Sequence, residues 1–144
     1  NIEDDNILGS MEFACKIAGS KLIVVLGHTK CGAVKGACDH VEMGNLTELL
    51  AKLQPAVYQE KETNADRTSK NTTFVENVST INVKRNVINI IERSFIIEQM
   101  VESGEIGVVG AMYNIDTGKV HFYEDVMYIR DDKNPAFSVA NLRY

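Results

Sequence analysis

An unbroken apolar segment near the amino terminus constrains the fold most strongly. Residues 22–26 read Leu-Ile-Val-Val-Leu, and Gly19 and Gly27 enclose them. A short continuous run of this kind, rich in β-branched residues and bounded by glycine, is typical of a parallel strand that is buried on both faces. We therefore predict a central strand over residues 21–27.

Helical spacing of apolar residues predicts the elements around this strand. Such spacing occurs over residues 7–18, over residues 46–53 and, with a break, over the long segment 74–100, which Gly104 ends. A short helix is expected after Thr29, where small residues allow close packing. These patterns predict amphipathic helices that pack on a sheet.

Two further strands are predicted near the carboxyl end. Residues 106–112 and 119–123 are strand-like, and Asn-Ile-Asp-Thr-Gly at 114–118 suits a tight hairpin, so this pair should be antiparallel. The element order predicts an α/β fold in which a mainly parallel central sheet is flanked by helices and has an antiparallel carboxyl-terminal strand. We expect a single domain over residues 1–144, with the polar segment 59–73 as a solvated connection.

Composition excludes several classes of function. The chain has 144 residues, of which 44% are hydrophobic and 24% charged, the usual balance of a soluble globular protein. A net charge of -5 argues against a nucleic-acid partner, which would require a basic face. No apolar run approaches the roughly 20 residues of a membrane span. Three cysteines are too few for a disulfide framework, so a metal-binding or core role is favoured.

The residues that follow the first strand carry the strongest chemical signal. The strand runs into Gly-His-Thr-Lys-Cys-Gly, which places His28 and Cys31 where sites gather in α/β folds. Imidazole and thiolate are ligands that zinc prefers, and the predicted helix dipole at Cys31 would favour the thiolate. A pair of this kind, taken alone, is more often a pair of packing residues, so that alternative stays open.

Other polar residues are weaker candidates. Cys38, Asp39 and His40 are sequence neighbours on a helix and should point apart, so a shared ion is not expected. Cys15 fits the core of the first helix, and His121 lies in an alternating strand with no assigned role. The sequence contains neither Gly-x-Gly-x-x-Gly nor a P-loop lysine motif, which argues against nucleotide binding.

The stretch 22–37 resembles the second metal-binding motif of β-class carbonic anhydrases, His-x-x-Cys-Gly after a hydrophobic strand. The resemblance extends through residues 1–14, 44–56, 76–78 and 109–120. The family's upstream Cys-x-Asp-x-Arg motif occurs nowhere in the 144 residues. The chain is therefore identified as similar to the carboxyl-terminal part of such an enzyme, with an incomplete amino-terminal portion.

The resemblance implies a zinc cofactor and a lyase reaction. His28 and Cys31 match two of the zinc ligands, whereas a second Cys and an Asp belong to the missing motif. In the family, zinc-bound hydroxide hydrates CO2 reversibly to bicarbonate and a proton. Gly32 and Phe13 match positions near the substrate, with a structural turn and a core helix residue as the respective alternatives. Without the missing motif, we expect the isolated chain to be impaired.

The resemblance also implies partners. Family members form homodimers or larger homo-oligomers, and an edge left by a missing strand would favour association. The tail 125–144 could cover a sheet edge or a partner subunit. We expect a cytoplasmic protein, with the periplasm as the alternative because a targeting segment would lie upstream of Asn1. The competing functions are a non-catalytic carbonic-anhydrase-like binding or assembly module and a generic α/β binding domain.

Overall fold

The computed structural model describes residues 1–130 and contains a three-stranded sheet. Its strands are β1 (Leu22–His28), β2 (Gly107–Tyr113) and β3 (Val120–Tyr128). They lie in the order β1-β2-β3, with β1 parallel to β2 and β2 antiparallel to β3. The three predicted strands and their directions are confirmed. Strand β3 continues five residues beyond its predicted end, and residues 131–144 of the predicted tail lie outside the described residues.

Helices occupy the predicted segments of the chain, and one further helix, over residues 54–59, lies where none was predicted. They are α1 (Asp5–Glu12), which continues as a π-helical segment (Phe13–Ile17), α2 (Gly32–Cys38), α3 (Gly44–Ala51), α4 (Gln54–Gln59), α5 (Thr72–Arg93) and α6 (Phe95–Glu102). Within residues 1–130, no helix combines the length and the apolar character that crossing a membrane requires.

The predicted break in the long helix lies at Ser94, between α5 and α6. The Ser94 hydroxyl oxygen accepts a hydrogen bond from the backbone N–H of Ile97 at 3.2 Å and so caps α6. The same hydroxyl donates to the Glu12 carboxylate at 2.6 Å, which ties the break to α1. Ser94 is buried, so these two bonds satisfy a polar group that would otherwise be costly there.

Helix α5 packs against one face of the sheet, which we call the inner face. Ile23 and Val25 of β1 are buried there with Val83 and Val87 of α5. A Cβ atom at Gly27 would lie 2.5 Å from a methyl carbon of Val83, so glycine at this position permits the close approach of α5. A second apolar cluster joins α2, α3 and α4 to the first turns of α5.

The opposite face of the sheet, here called the outer face, is buried at Val109 and Ala111 of β2 but open along β1. Leu22, Val24 and Leu26 point to it and are 49%, 41% and 43% exposed. Through the strand registers, Tyr113 and Phe122 share this face. The prediction that β1 is buried on both faces is therefore wrong for the described residues, because the helix that packs extensively on the sheet lies on the inner face.

The connection between α4 and α5 is less solvated than its composition predicts. Glu60 is only 1% exposed, and its carboxylate accepts hydrogen bonds from Thr63, Arg67 and Asn77. Burial acts to raise the pKa of Glu60, but these hydrogen bonds outweigh it and hold the pKa below its ordinary value. The Arg67 guanidinium also stacks over the Phe74 ring at 4.5 Å. The expectation of a solvated connection is thus wrong at Glu60, where a buried carboxylate paired with Arg67 anchors the segment.

Candidate metal centre

The two predicted zinc ligands line one cavity at the carboxyl end of β1. His28 is the last residue of β1, and Cys31 is the N-cap residue of α2. The cavity has a volume of about 60 Å³. Its lining residues are Asn1, Leu26, Gly27, His28, Cys31, Val34, Ser79 and Asn82. The tight turn after β1 therefore brings an imidazole and a thiol to the same space.

A backbone hydrogen bond determines which nitrogen of His28 can act as a ligand. The Nδ1 atom lies 2.9 Å from the carbonyl oxygen of Thr29. A carbonyl oxygen can only accept, so Nδ1 carries the hydrogen and donates it. The lone pair is then on Nε2, which leaves this nitrogen able to bind a metal.

The turn between the two candidate ligands is attached to the β2–β3 hairpin. The Thr29 backbone N–H donates to the carbonyl oxygen of Tyr113 at 3.0 Å, and the Thr29 hydroxyl accepts from the N–H of Ile115 at 3.2 Å. The Lys30 ammonium group binds both carboxylate oxygens of Asp116, at 2.8 and 2.7 Å. The hairpin therefore holds the turn from the β2 side of the strand.

The donor set fits zinc in kind but is incomplete. A neutral imidazole and a cysteine thiol are both ligands that zinc takes in tetrahedral protein sites. In the described part of the chain, however, no group of three or more His, Cys, Asp or Glu side chains could hold a metal ion. Among the described residues, His28 and Cys31 are therefore two candidate ligands, fewer than the four of a tetrahedral zinc site.

Gly32 and Phe13, the two predicted substrate contacts, lie in different surroundings. Gly32 is the first residue of α2, and a Cβ atom built there would have no described atom within 4 Å. Phe13 begins the π-helical segment, is 62% exposed and is not a lining residue of the cavity. Phe13 is thus not packed in the core of this chain. A substrate role for either residue stays a prediction.

The other cysteines are unsuited to metal binding in this conformation. Cys15 and Cys38 are buried, with 3% and 1% exposure, whereas Cys31 is partly accessible. Burial raises the pKa of Cys15, and it raises the pKa of Cys38 to about 11. A thiol must lose its proton to bind a metal. Cys31 is therefore the thiol with access to the cavity, and the predicted core role of Cys15 agrees with its burial.

The sequence analysis did not identify the polar residues that line the cavity beside His28 and Cys31. Asn82 and Ser79 lie on α5 and are 4% and 5% exposed, and Asn1 lines the same cavity. Asn82 and Asn86 do carry a signal, since they place two amides four residues apart on the side of α5 that buries Val83 and Val87. Buried amides in such a position require specific partners.

Comparison with known proteins places the chain in a family. The family model described as carbonic anhydrase matches residues 1–120. Carbonic anhydrase 2 of Mycobacterium tuberculosis is 28% identical over 124 residues, which cover 83% of this chain and 56% of that protein. The carbonic anhydrase of Mycolicibacterium smegmatis is 27% identical over 125 residues, with 83% and 57% covered. The chain thus spans about half the length of these curated relatives.

The fold agrees with this assignment. A tetrameric β-carbonic anhydrase from the filamentous ascomycete Sordaria macrospora superposes with a TM-score of 0.73 at 23% sequence identity. The match covers 86% of this chain and 62% of that one. The chain therefore belongs to the carbonic anhydrase family, and its described residues have a β-class fold.

Proposed function

We propose that this chain forms the metal-binding part of a zinc-dependent enzyme that converts CO2 and water reversibly to bicarbonate and a proton. The observation that carries the proposal is the pairing of His28 and Cys31 on one cavity. Their side chains are ligands that zinc prefers, and they lie at the carboxyl end of a parallel strand in a chain of the carbonic anhydrase family.

Neighbouring groups of the chain orient the two candidate ligands. The carbonyl oxygen of Thr29 holds the His28 ring with its Nε2 lone pair free, and Cys31 presents its sulfur from the N-cap of α2. Zinc, when bound, supplies the Lewis acidity that generates a nucleophile from water. The remaining ligands would come from groups beyond the described residues, as the donor set requires.

The cavity suits a small, weakly polar substrate. Leu26, Gly27 and Val34 contribute apolar groups to the lining, and Asn1 and Asn82 contribute amides. CO2 is small and nonpolar enough to enter such a space, and the exposed His28 leaves a route by which the bicarbonate anion can reach water. The backbone N–H of Gly32, in the first turn of α2, has no acceptor within that helix and is a proposed donor to the substrate.

We also propose that the functional unit is a homo-oligomer in which a second copy covers the outer face. That face presents half-exposed apolar side chains on β1 and β3, including Leu22, Val24 and Phe122. Strand β1 is an edge strand of the described sheet, and open apolar edges favour association. The relative from Sordaria macrospora is described as tetrameric, which supports the same assembly type.

The proposal is tested by zinc analysis and a CO2 hydration assay on this chain and on the chain extended by its upstream coding sequence. We expect weak zinc binding and little activity from the 144 residues alone. The extended chain should bind zinc tightly and be active, and Cys31→Ser should abolish both properties while Cys38→Ser retains them. An extended, folded protein without activity would instead indicate a non-catalytic binding or assembly module.

A further inference from the structure

We propose that Asn1 is a positioning residue for His28 and that Asn82 of α5 holds Asn1 in place. The inference rests on the proposed metal site. Asn1 acts on His28 through a hydrogen bond to the backbone of β1, at the edge of the strand that does not pair with β2, and not through a contact with the imidazole ring.

The backbone groups of β1 alternate between β2 and the open edge. The carbonyl oxygen of Lys21 accepts from the N–H of Gly107, and the N–H of Thr29 donates to Tyr113, so the odd-numbered residues face β2. The backbone N–H and C=O groups of successive residues in a strand point to opposite edges of that strand. The backbone groups of Leu26 and His28 therefore face the open edge, where β1 has no partner strand among the described residues.

Asn1 is attached to this open edge close to the candidate metal ligand. Its side-chain Nδ2 donates a hydrogen bond to the carbonyl oxygen of Leu26 at 3.1 Å. Leu26 lies two residues before His28, and Asn1, Leu26 and His28 line the same cavity. Asn1 thus holds the end of β1 from the edge opposite the hairpin contacts of Thr29. With both contacts present, the end of the strand is fixed from both sides.

Two buried amides of α5 hold Asn1. Asn82 Nδ2 donates to the backbone carbonyl oxygen of Asn1 at 2.8 Å, and Asn86 Nδ2 lies 3.3 Å from the same oxygen. Asn86 Nδ2 also donates to the carbonyl oxygen of Asn82 at 2.8 Å. Both side chains are only 4% exposed, and Asn86 Oδ1 has no hydrogen-bond partner among the described residues. Burying an amide costs free energy unless it is hydrogen-bonded. The tertiary hydrogen-bond partner of these two side chains is the carbonyl oxygen of Asn1.

The same stripe of α5 provides a matched control. Asn82, Asn86, Asn89 and Arg93 are spaced four, three and four residues apart, which places them on one side of the helix. Asn89 donates to the Glu3 carboxylate at 3.0 Å. It therefore binds the same amino-terminal segment without contacting Asn1 or β1. Asn89→Ala removes a comparable amide bond that the proposal leaves unconnected to His28.

The test compares Asn1→Ala with Asn89→Ala in the 144-residue chain. Asn1 is exposed, so its truncation leaves the core intact, and Asn82→Ala serves as a second variant. The tautomer of His28 is read without metal from its ring nitrogen chemical shifts by NMR. Affinity for Co²⁺ is read from thiolate-to-cobalt absorption. In Asn1→Ala the end of β1 loses its edge contact at Leu26, so the Thr29 carbonyl oxygen should no longer hold Nδ1 of His28 in one geometry. We therefore expect a mixture of tautomers and roughly 10-fold weaker Co²⁺ binding, the effect of losing a residue that orients a ligand.

In Asn89→Ala neither readout should change, and the thermal midpoints of the two variants should agree. An unchanged His28 tautomer in Asn1→Ala, or an equal change in Asn89→Ala, would overturn the inference. The thiolate-to-cobalt absorption of the parent chain tests the metal site separately from the positioning role of Asn1. If the parent chain gives no thiolate-to-cobalt absorption but Asn1→Ala still alters the tautomer, the metal proposal fails and the positioning role stands.

Discussion

The Lys30 ammonium group lies 2.8 and 2.7 Å from the two carboxylate oxygens of Asp116, and this pair joins the turn between His28 and Cys31 to the β2–β3 hairpin. Lys30 has a φ of 58°, in the left-handed region that side-chain-bearing residues rarely adopt. The ion pair is formed by the residue with this backbone conformation. We therefore expect the spacing of the two candidate ligands to depend on this contact with a residue 86 positions away.

Replacing Lys30 should separate the stability of the fold from the geometry of the metal site. Both partners are more than half exposed, so Lys30→Met should cost only about 0.2–1 kcal/mol of unfolding free energy. Co²⁺ affinity should fall several-fold because the turn loses its attachment. Lys35→Met, on the exposed side of α2, is the control for loss of charge. Equal Co²⁺ affinities in the two variants would show that the pair does not position the ligands.

Gly27→Ala should destabilise the protein because the new methyl group would meet α5. The added carbon would lie 2.5 Å from a methyl carbon of Val83 and 3.0 Å from the Met112 methyl carbon. Overpacking of this kind typically costs roughly 1–3 kcal/mol, to be measured by urea unfolding. Gly32→Ala is the matched control, since its methyl group would meet no described atom within 4 Å. A Gly27→Ala variant as stable as Gly32→Ala would contradict the close packing of α5 on β1.

Glu60→Gln should destabilise the protein in a pH-dependent way. The pKa of Glu60 is lowered in the folded state from an ordinary value of 4.5, so its ionised form stabilises the fold above that pH. This contribution is lost as the pH falls through the lowered pKa. At pH 7 the substitution should cost roughly 1.5–3 kcal/mol, since hydrogen bonds to a buried charge are lost.

The difference between the wild type and Glu60→Gln should shrink when urea unfolding is repeated below the ordinary pKa. Glu62→Gln, at an exposed position in the same segment, should have little effect at either pH. If the destabilisation by Glu60→Gln were the same at neutral and acidic pH, the ionised carboxylate would not be its cause.

A charge on the outer face should disrupt self-association. Val24 is 41% exposed at the centre of β1, and Val24→Lys would place an ammonium group within any contact that covers it. The variant should sediment as a 16.0 kDa monomer, whereas the wild-type chain should sediment as a dimer or larger species. Tyr58→Lys, at a 62% exposed position on α4, should leave the assembly unchanged. A monomeric wild-type chain would contradict the proposed use of this face.

The sequence predicted the elements well because their signals are local. The apolar run of β1, the helical spacing in α5 and the Asn-to-Gly hairpin are each encoded within a few consecutive residues. The exposure of the outer face could not be predicted from such local signals. A continuous apolar run indicates that Leu22 and Val24 require cover, but it does not say whether this chain provides it.

The site was predictable only in part, for a related reason. His28 and Cys31 were found because the strand, the turn and the ligands are contiguous in sequence. The contact of Asn1 with Leu26 joins residues 25 positions apart, and no local pattern signals such a pairing. The burial of Glu60 was missed because its partners lie in a segment whose composition is polar throughout.

Titration of the chain with Co²⁺, followed by thiolate-to-cobalt absorption, tests the metal site most directly. We expect one weakly held ion per chain that a chelator removes, because two protein ligands fill half of a tetrahedral sphere. Cys31→Ser should abolish the absorption and His28→Ala should weaken binding, while Cys38→Ser should change neither. Absorption that persists in Cys31→Ser, or that disappears in Cys38→Ser, would contradict the assignment of His28 and Cys31 as the metal ligands of this chain.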